Sequence, residues 1–355
     1  MAYTDIDDPS AYFQTALYTG NGGTQSIVHN GNSDLQPDWV WCKVRSQGDN
    51  HAIFDSVRGG QKQLRSNTTG GELTRDNAIS SFNSDGFTMG GQPEMNTNGQ
   101  TYVTWNWKAG TAFSNDASST SVGTIDSVGS VSQTSGFSIC TYPGNGTSGA
   151  TIKHGLSTAP KIIIIKKRSA GDNWTMLNTN ISLNTHLHLN TTQAVVSDPM
   201  FTNTAPTTSV FTVDSDGQVN ENNNTFVAYC FSEVKGYSKF GKYIGNGNAN
   251  GSFVYTGFKP AFVMIKAINA TKDWKIIDNK RNPAGKGGAN PVRYRLAANT
   301  TAGTSDDGDG QDFTSQGFKF RTTDSHMNGS GTQYIYMAFA ENSFVSSTGV
   351  PATAR

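Results

Sequence analysis

The sequence is poor in helix-forming residues and carries no net charge. Its 355 residues include 10 Leu and 5 Glu against 39 Gly and 32 Asn. Leu and Glu favour helices, whereas Gly and Asn favour turns, so this composition argues against a helix-rich fold. Lys plus Arg and Asp plus Glu each total 27. A neutral chain lacks the basic surface that nucleic acid or anionic lipid attracts, so we expect neither as a partner.

Cysteines and long apolar runs are also scarce. Cys42, Cys140 and Cys230 are too few for a disulfide framework or a zinc site, and buried free thiols are expected at all three. Apolar runs such as residues 162–165 are far shorter than the roughly 20 residues of a membrane helix. The first ten residues have no cationic segment, so no signal peptide is predicted. We expect a soluble protein made in a cytoplasm.

Five short motifs recur three times in the same order, which predicts a triplicated unit of about 100 residues. Their starting positions are Tyr18, Tyr142 and Tyr243 for Tyr-x-Gly-Asn-Gly; Pro37, Pro160 and Pro260 for a proline that leads into a strand; His51, Trp174 and Trp274 for a ring residue; Leu64, Leu187 and Leu296 for Leu-x-x-Asn-Thr-Thr; and Tyr102, Phe226 and Tyr334 for an aromatic strand.

The motifs set the predicted domain boundaries. We place an N-terminal arm at residues 1–10, three repeats at 11–110, 135–235 and 236–345, and a C-terminal tail at 346–355. Residues 111–134 are rich in Ser, Thr and Gly, the composition of a flexible linker. Because a linker separates only the first two repeats, we expect an extended rod with one hinge rather than a closed ring.

Strand periodicity predicts the fold of each repeat. Trp39 and Trp41 alternate with Val40 and Cys42, as on a strand with two different faces. Ser-Asp-Gly, at residues 84–86 and 215–217, is a tight-turn signal because Gly adopts positive φ without strain. We therefore predict an all-β chain of three tandem antiparallel β-sandwich domains, each with seven or more short strands.

Several segments resemble one protein family. They are residues 2–14 (AYTDIDDPSAYFQ), 36–41 (QPDWVW), 55–59 (DSVRG), 102–110 (YVTWNWKAG), and the ending from 334 through 355. The chain resembles repeat proteins of marine tailed bacteriophages, including cyanophages and pelagiphages, with concanavalin- or laminin-G-like jelly-roll domains. The resemblance covers essentially the whole chain. It implies a virion protein, such as a tail fibre, tail appendage or head decoration, and no catalytic residues.

Three functions follow as alternatives. The main hypothesis is an exposed tail fibre or appendage that recognises a host-surface glycan, contacts other virion proteins and forms homo-oligomers. The second is a decoration or cement protein with no ligand, and the third is a polysaccharide depolymerase. Catalytic motifs are missing, and a glycosidase needs two converging carboxyl groups that the sequence does not single out. We therefore expect no enzyme activity.

Candidate ligand-binding residues come from the motifs. The asparagines of Leu-x-x-Asn-Thr-Thr, at Asn67, Asn190 and Asn299, carry amides suited to sugar hydroxyls, but they also suit turns at strand ends. Trp105 and Trp107 share one face of a strand, where they form either an exposed sugar-stacking platform or part of the core.

Two candidate metal sites remain. Asp306, Asp307, Asp309 and Asp312 cluster in one loop and offer the oxygen ligands that calcium needs; the alternative is a solvated turn, and no other cofactor is expected. His186 and His188 lie on the same face of a strand, where they could bind a metal with a third ligand or simply face solvent.

Overall fold

The structure is a computed structural model that describes residues 4–282, 290–349 and 351, with the side chains of Asp307 and Asp309 outside the description. Almost all regular structure in this part of the chain is antiparallel β, which confirms the all-β prediction. The helices are a 3-10 turn (Pro9–Ala11), α1 (Pro93–Asn96), α2 (Ala117–Thr120) and α3 (Gly217–Asn220). No described helix is long or apolar enough to span a membrane.

Twenty-seven strands are distributed over the described residues. Up to residue 110 they are β1 (Phe13–Thr19), β2 (Gln25–Ile27), β3 (Trp39–Val44), β4 (Ala52–Asp55), β5 (Lys62–Gln63), β6 (Leu73–Thr74), β7 (Ile79–Phe82), β8 (Phe87–Met89) and β9 (Thr101–Trp107). From 111 to 235 they are β10 (Thr111–Asn115), β11 (Ser127–Ser132), β12 (Phe137–Pro143), β13 (Ala150–Lys153), β14 (Ile162–Lys167), β15 (Trp174–Asn178), β16 (Thr185–His188), β17 (Val196–Ser197), β18 (Val210–Val213) and β19 (Thr225–Phe231). The remaining strands are β20 (Ser238–Ile244), β21 (Phe253–Tyr255), β22 (Phe258–Ala267), β23 (Lys275–Asp278), β24 (Val292–Ala297), β25 (Ser305–Thr314), β26 (Gly317–Phe320) and β27 (Gln333–Ser343).

One four-strand order occurs three times. It is β1-β9-β3-β4 in the first repeat, β12-β19-β14-β15 in the second and β20-β27-β22-β23 in the third. The register is also the same, because the strand that follows the motif proline pairs with the aromatic strand at Trp39–Trp107, Ile162–Phe231 and Phe262–Phe339. We call these three arrangements the main sheets.

Each main sheet is buried on both faces. One face packs over an apolar core against a smaller sheet of the same repeat. This smaller sheet is β2-β8-β7 in the first repeat, β13-β18 in the second, and β25-β26-β21 in the third, where β24 makes it continuous with the main sheet. The opposite faces of all three main sheets meet in a single central core. In the first repeat, Val40 and Cys42 belong to the outer core, whereas Trp39 and Trp41 belong to the central one. The predicted alternation is therefore correct, and both faces are apolar because both are covered.

The predicted flexible linker, residues 111–134, is instead ordered structure. Strand β10 pairs with β11, and β11 pairs with the edge of β12, so the segment extends the second main sheet. Between the two strands, Asp116 accepts hydrogen bonds from the backbone N–H groups of Ser118 and Ser119 and caps α2. The Ser-, Thr- and Gly-rich segment therefore forms two strands at the edge of the sheet, and pairing with β12 on one side holds them there.

The expectation of an extended rod is also wrong, because the three repeats close into a ring. The ring residue of the third motif bonds a backbone carbonyl of another repeat each time. Trp174 Nε1 donates to Arg65 O (2.8 Å), and Trp274 Nε1 donates to His188 O (2.9 Å). His51 Nε2 lies 3.0 Å from Ala297 O. The second repeat thus binds the first, the third binds the second, and the first binds the third.

The first repeat has His51 where the other two repeats have a tryptophan, and both ring nitrogens of His51 have hydrogen-bond partners. Trp41 Nε1 donates to His51 Nδ1 (2.8 Å), which leaves the proton on Nε2 to donate to the Ala297 carbonyl. Burial, with a smaller effect of Lys43, lowers the pKa of His51 to about 3, so the ring is neutral at physiological pH.

A second contact repeats around the same circle. The last residue but one of the proline-led strand is a lysine, which donates to the carbonyl of the last threonine in the neighbouring Leu-x-x-Asn-Thr-Thr motif. The pairs are Lys43–Thr301 (3.1 Å), Lys166–Thr69 (3.1 Å) and Lys266–Thr192 (2.9 Å). Burial lowers the pKa of each of these lysines to about 8. The motif thus forms part of the joints between repeats.

We expect the three repeats to unfold together, because no repeat retains its central core when another leaves. Differential scanning calorimetry should give one transition with calorimetric and van't Hoff enthalpies in agreement. Trp39→Ala, which opens the central core, should cost about 3–5 kcal/mol and move this whole transition. Separate transitions for separate repeats, or a Trp39→Ala effect confined to one of them, would contradict the shared core.

Candidate functional site

The motif asparagines lie inside their own repeats and are held there by both amide atoms. The Oδ1 atoms of Asn67, Asn190 and Asn299 accept from the backbone N–H of the ring residue at 3.0, 2.9 and 2.9 Å. Their Nδ2 groups donate to Asn50, Asn173 and Asp273 at 2.8, 2.9 and 2.9 Å. These contacts fix the ring residue at the joint, which is the turn-forming role that the sequence offered as the alternative.

Trp105 and Trp107 do not form a surface platform. Their exposed fractions are 0% and 1%, and both belong to the central core. The Trp107 ring lies 4.6 Å from that of Trp39, and Trp105 Nε1 donates to Asp278 Oδ2 of the third repeat (3.0 Å). Of the two alternatives, the exposed platform is wrong and the core role is correct, because the strand face that carries Trp105 and Trp107 is the face that meets the other repeats.

The acidic loop lies on β25, where its described carboxylates have arginine partners. Arg293 binds Asp306 Oδ1 at 2.8 Å, and Arg321 binds Asp312 Oδ2 at 2.6 Å. The side chains of Asp307 and Asp309 lie outside the described residues. Within the described part, no three Asp, Glu, His or Cys residues converge as a metal would require.

His186 and His188 are buried rather than facing solvent, which corrects that alternative. Their exposed fractions are 1% and 7%, and their Nε2 atoms lie 3.1 Å apart. His186 Nδ1 is 3.0 Å from Asp198 O and donates to this carbonyl, so the Nε2 atom of neutral His186 accepts from His188 Nε2. The two histidines thus fill the polar interior of the second repeat with each other as partners.

The third repeat has an open polar cavity of about 600 Å³ at the corresponding place. It lies between β23, β24 and the segment after β26. Charged and polar side chains face it: Asp273, Lys275, Arg295, Thr300, Ser305, Thr322, Asp324 and His326. Its volume falls within the range of about 300–1,000 Å³ that is usual for ligand pockets.

One small residue explains why the cavity occurs in this repeat. The residue after the motif leucine is Arg65 in the first repeat, His188 in the second and Ala297 in the third. Arg65 bonds Glu94 at 2.5 Å, and His188 bonds His186, so each large side chain fills the space with a polar contact. Ala297 lines the cavity and leaves that space open.

The charged groups of the cavity form a chain of alternating sign. His326 Nε2 lies 3.4 Å from Asp273 Oδ2, and its Nδ1 lies 3.1 Å from Asp324 Oδ1. Lys275 Nζ lies 3.5 Å from the same Oδ2 atom of Asp273, and Arg295 Nη1 lies 2.9 Å from Asp324 Oδ2. A protonated imidazole can donate to both carboxylates at once, so His326 joins the two halves of the wall.

These contacts shift the pKa values of His326, Asp273 and Asp324, each in the direction that favours the charged form. The hydrogen bond to Asp273, followed by that to Asp324, raises the pKa of His326 above its usual 6.5. The His326 hydrogen bond lowers the pKa of Asp273 despite partial burial. Burial alone would raise the pKa of Asp324, but hydrogen bonds from His326 and the Arg295 charge outweigh it and lower that pKa to about 2.

Sequence reasoning did not single out this cavity. Asp273, Lys275, Arg295 and His326 belong to no motif shared by the repeats. One signal was present: Ala297 follows the motif leucine where the other repeats have large polar residues. Because protein interiors are closely packed, an alanine at a position where the other two repeats have large residues indicates unfilled space beside it in the third repeat.

Comparison with protein families identifies the chain. Residues 8–343 match a family described as Domain of unknown function (DUF7483), so the chain belongs to that family. Comparison with curated proteins and with solved structures gave no match.

His326 should titrate above pH 6.5, because two carboxylates stabilise its charged form. Its stabilising contribution is fully present below 6.5 and is lost as the pH rises through its pKa in the folded state. Histidine-ring NMR, assigned with His326→Gln, should find a lower midpoint in Asp273→Asn. Asp324→Asn should lower the midpoint as well, and Asp216→Asn is its matched control, since Asp216 Oδ1 accepts from Gln218 N–H in the second repeat as Asp324 Oδ1 accepts from His326 N–H in the third. A wild-type midpoint at or below 6.5 would contradict this arrangement.

Proposed function

We propose that this member of the DUF7483 family is a bacteriophage virion protein, an exposed tail fibre or appendage, that binds a host-surface glycan in the cavity of the third repeat. The observation that carries the proposal is a wall in which donors and acceptors alternate: Lys275, Asp273, His326, Asp324 and Arg295. Each sugar hydroxyl both donates and accepts a hydrogen bond, so a sugar ring matches such a wall along its edge.

The geometry favours recognition over hydrolysis. Glycoside cleavage needs a carboxylic acid that is still protonated near neutral pH, which requires a raised pKa. The pKa values of both cavity carboxylates are lowered instead, and both groups are ionised acceptors at neutral pH. This supports a binding site and disfavours the depolymerase alternative.

The ring also suits an appendage that works by avidity. The same contacts between repeats occur three times around one shared core, and they make the ring that carries the cavity rigid. Binding a ligand therefore costs little conformational entropy. A single polar site of this kind binds weakly, and several copies of the chain on one particle would multiply its effective affinity. The sequence resemblance to phage virion proteins supports the same assignment.

Filling the cavity tests the proposed site. Ala297→His introduces the side chain that the second repeat accommodates at this position, and Ala297→Ser is the control that keeps the space. Isothermal titration with glucose, galactose, rhamnose, N-acetylglucosamine and galacturonic acid should show binding of at least one sugar. Ala297→His should weaken that binding at least tenfold, whereas Ala297→Ser should not. Equal binding by Ala297→His would exclude the cavity, and no binding of any sugar by the wild type would overturn the glycan proposal.

The virion location has its own test. Antibodies against the chain, viewed by electron microscopy on intact particles of the parent phage, should label the tail or its fibres. Label spread over the head would favour the alternative of a decoration protein. Particles that carry no label, while the purified chain is recognised by the same antibodies, would overturn the virion assignment.

A further inference from the structure

The sequence contains seven Asn-Gly pairs, and all of them lie in the described part of the chain. Asn-Gly is prone to deamidation because glycine has no side chain to hinder attack by its own backbone nitrogen. That nitrogen forms a bond to Cγ of the asparagine, the side-chain amide leaves as ammonia with the backbone proton, and water opens the succinimide to aspartate or isoaspartate. The asparagines are Asn21, Asn30, Asn98, Asn145, Asn246, Asn250 and Asn328.

Three of the pairs belong to the Tyr-x-Gly-Asn-Gly motif, and a buried asparagine holds each of them in the same way. In the first repeat, the backbone carbonyl of Asn96 accepts from Gly22 N–H (2.9 Å). The Asn96 side chain accepts from Asn21 N–H through Oδ1 (2.8 Å) and donates to Asn21 Oδ1 through Nδ2 (3.1 Å). Asn220 and Asn328 make the corresponding three contacts in the second and third repeats. The glycine nitrogen and the asparagine side chain, which would have to meet in the attack, are thus both held.

Backbone carbonyls also accept from the N–H of two further glycines. Gly20 O accepts from Gly99 N–H (2.9 Å), and Phe320 O accepts from Gly251 N–H (3.0 Å). Each contact joins a loop to a part of the same repeat that is distant in sequence. The N–H group is therefore held for as long as the repeat stays closed.

Side chains accept from the last two glycine N–H groups. Gln14 Oε1 accepts from Gly31 N–H (2.8 Å), and the Tyr334 hydroxyl accepts from Gly329 N–H (2.9 Å). All seven glycine nitrogens therefore donate to an acceptor within the chain. Water would satisfy an exposed loop N–H equally well, so folding alone does not require this complete pairing.

We infer that the seven Asn-Gly pairs are modification sites that the fold keeps unreactive and that deamidate only when the surrounding structure opens. A glycine N–H that donates to a carbonyl or hydroxyl oxygen keeps its proton and stays away from Cγ, so its nitrogen cannot attack. The reaction then proceeds from open conformations, which are a small fraction of the native ensemble. This inference concerns the chemical durability of the chain and does not depend on the proposed glycan site.

The first test compares the folded and unfolded chain. The full-length protein is incubated at mildly alkaline pH in native buffer or in guanidinium chloride, digested with pepsin at acidic pH, where deamidation is slow, and analysed by peptide mass spectrometry. Each of the seven pairs should deamidate at least tenfold more slowly in native buffer. Equal rates in the two solutions at any one of these pairs would overturn the inference.

Gln14 allows a single acceptor to be removed. Gln14→Ala and Gln14→Glu both lose the Nε2 bonds to Ser10 O and Ser33 O, but only Gln14→Ala loses the oxygen that accepts from Gly31 N–H. In native buffer, deamidation of Asn30 should rise at least tenfold in Gln14→Ala and stay near the wild-type rate in Gln14→Glu. The other six pairs report any general unfolding. An unchanged rate at Asn30 in Gln14→Ala would contradict the protective role of this hydrogen bond.

Tyr334 provides an independent variant should Gln14→Ala unfold the protein. Tyr334→Phe removes the acceptor of Gly329 N–H and should raise deamidation of Asn328 at least tenfold in native buffer. Tyr102→Phe is the matched control, because the Tyr102 hydroxyl accepts from Thr97 N–H at the corresponding place in the first repeat. Thr97 follows Asn96, and its β-branched side chain hinders the attack, so Asn96 should stay intact. Equal rates at Asn328 in Tyr334→Phe and the wild type would overturn the inference.

Discussion

The three main sheets bury their inner faces against one another, and the other features of the fold depend on that shared core. A repeat of about 100 residues buries only part of its chain surface alone, and large apolar faces on both sides of a sheet need two covers. The smaller sheet covers one face, and the other two repeats cover the second. Closure into a ring follows, because three sheets around one core contact each other in a circle.

The shared core also determines where ligand chemistry can occur. All six tryptophans are buried and unavailable to a ligand: Trp39, Trp41, Trp105 and Trp107 in the central core, and Trp174 and Trp274 at the contacts between repeats. The recognition that we propose is therefore left to the outer parts of each repeat, where residues differ among the copies. The cavity of the third repeat is lined by Ala297, at a position where the three repeats carry different residues.

Much of this fold is readable from the sequence, and the limits have physical causes. The motifs predicted the strands and their equivalence because local alternation and turn residues act over short distances. Strand alternation also placed Trp39 and Trp41 on one face, but it could not tell whether solvent or another repeat covers that face. For the same reason residues 111–134 were predicted to be a linker: pairing with β12 is a tertiary contact that composition does not record. The cavity depends on what surrounds Ala297 in space, whereas the sequence shows only that a small residue stands where larger ones are usual.

Because the three repeats belong to one chain, a residue in one repeat can change without the corresponding residues in the other two. In a trimer of identical subunits, a substitution at one site appears at all three, and a cavity or a buried ion pair has to be tolerated everywhere at once. Here the position after the motif leucine holds an arginine bound to Glu94, a histidine bound to another histidine, and an alanine beside an open pocket. Covalent linkage has made the symmetry approximate, and the ring can specialise in one sector while the other two preserve its stability.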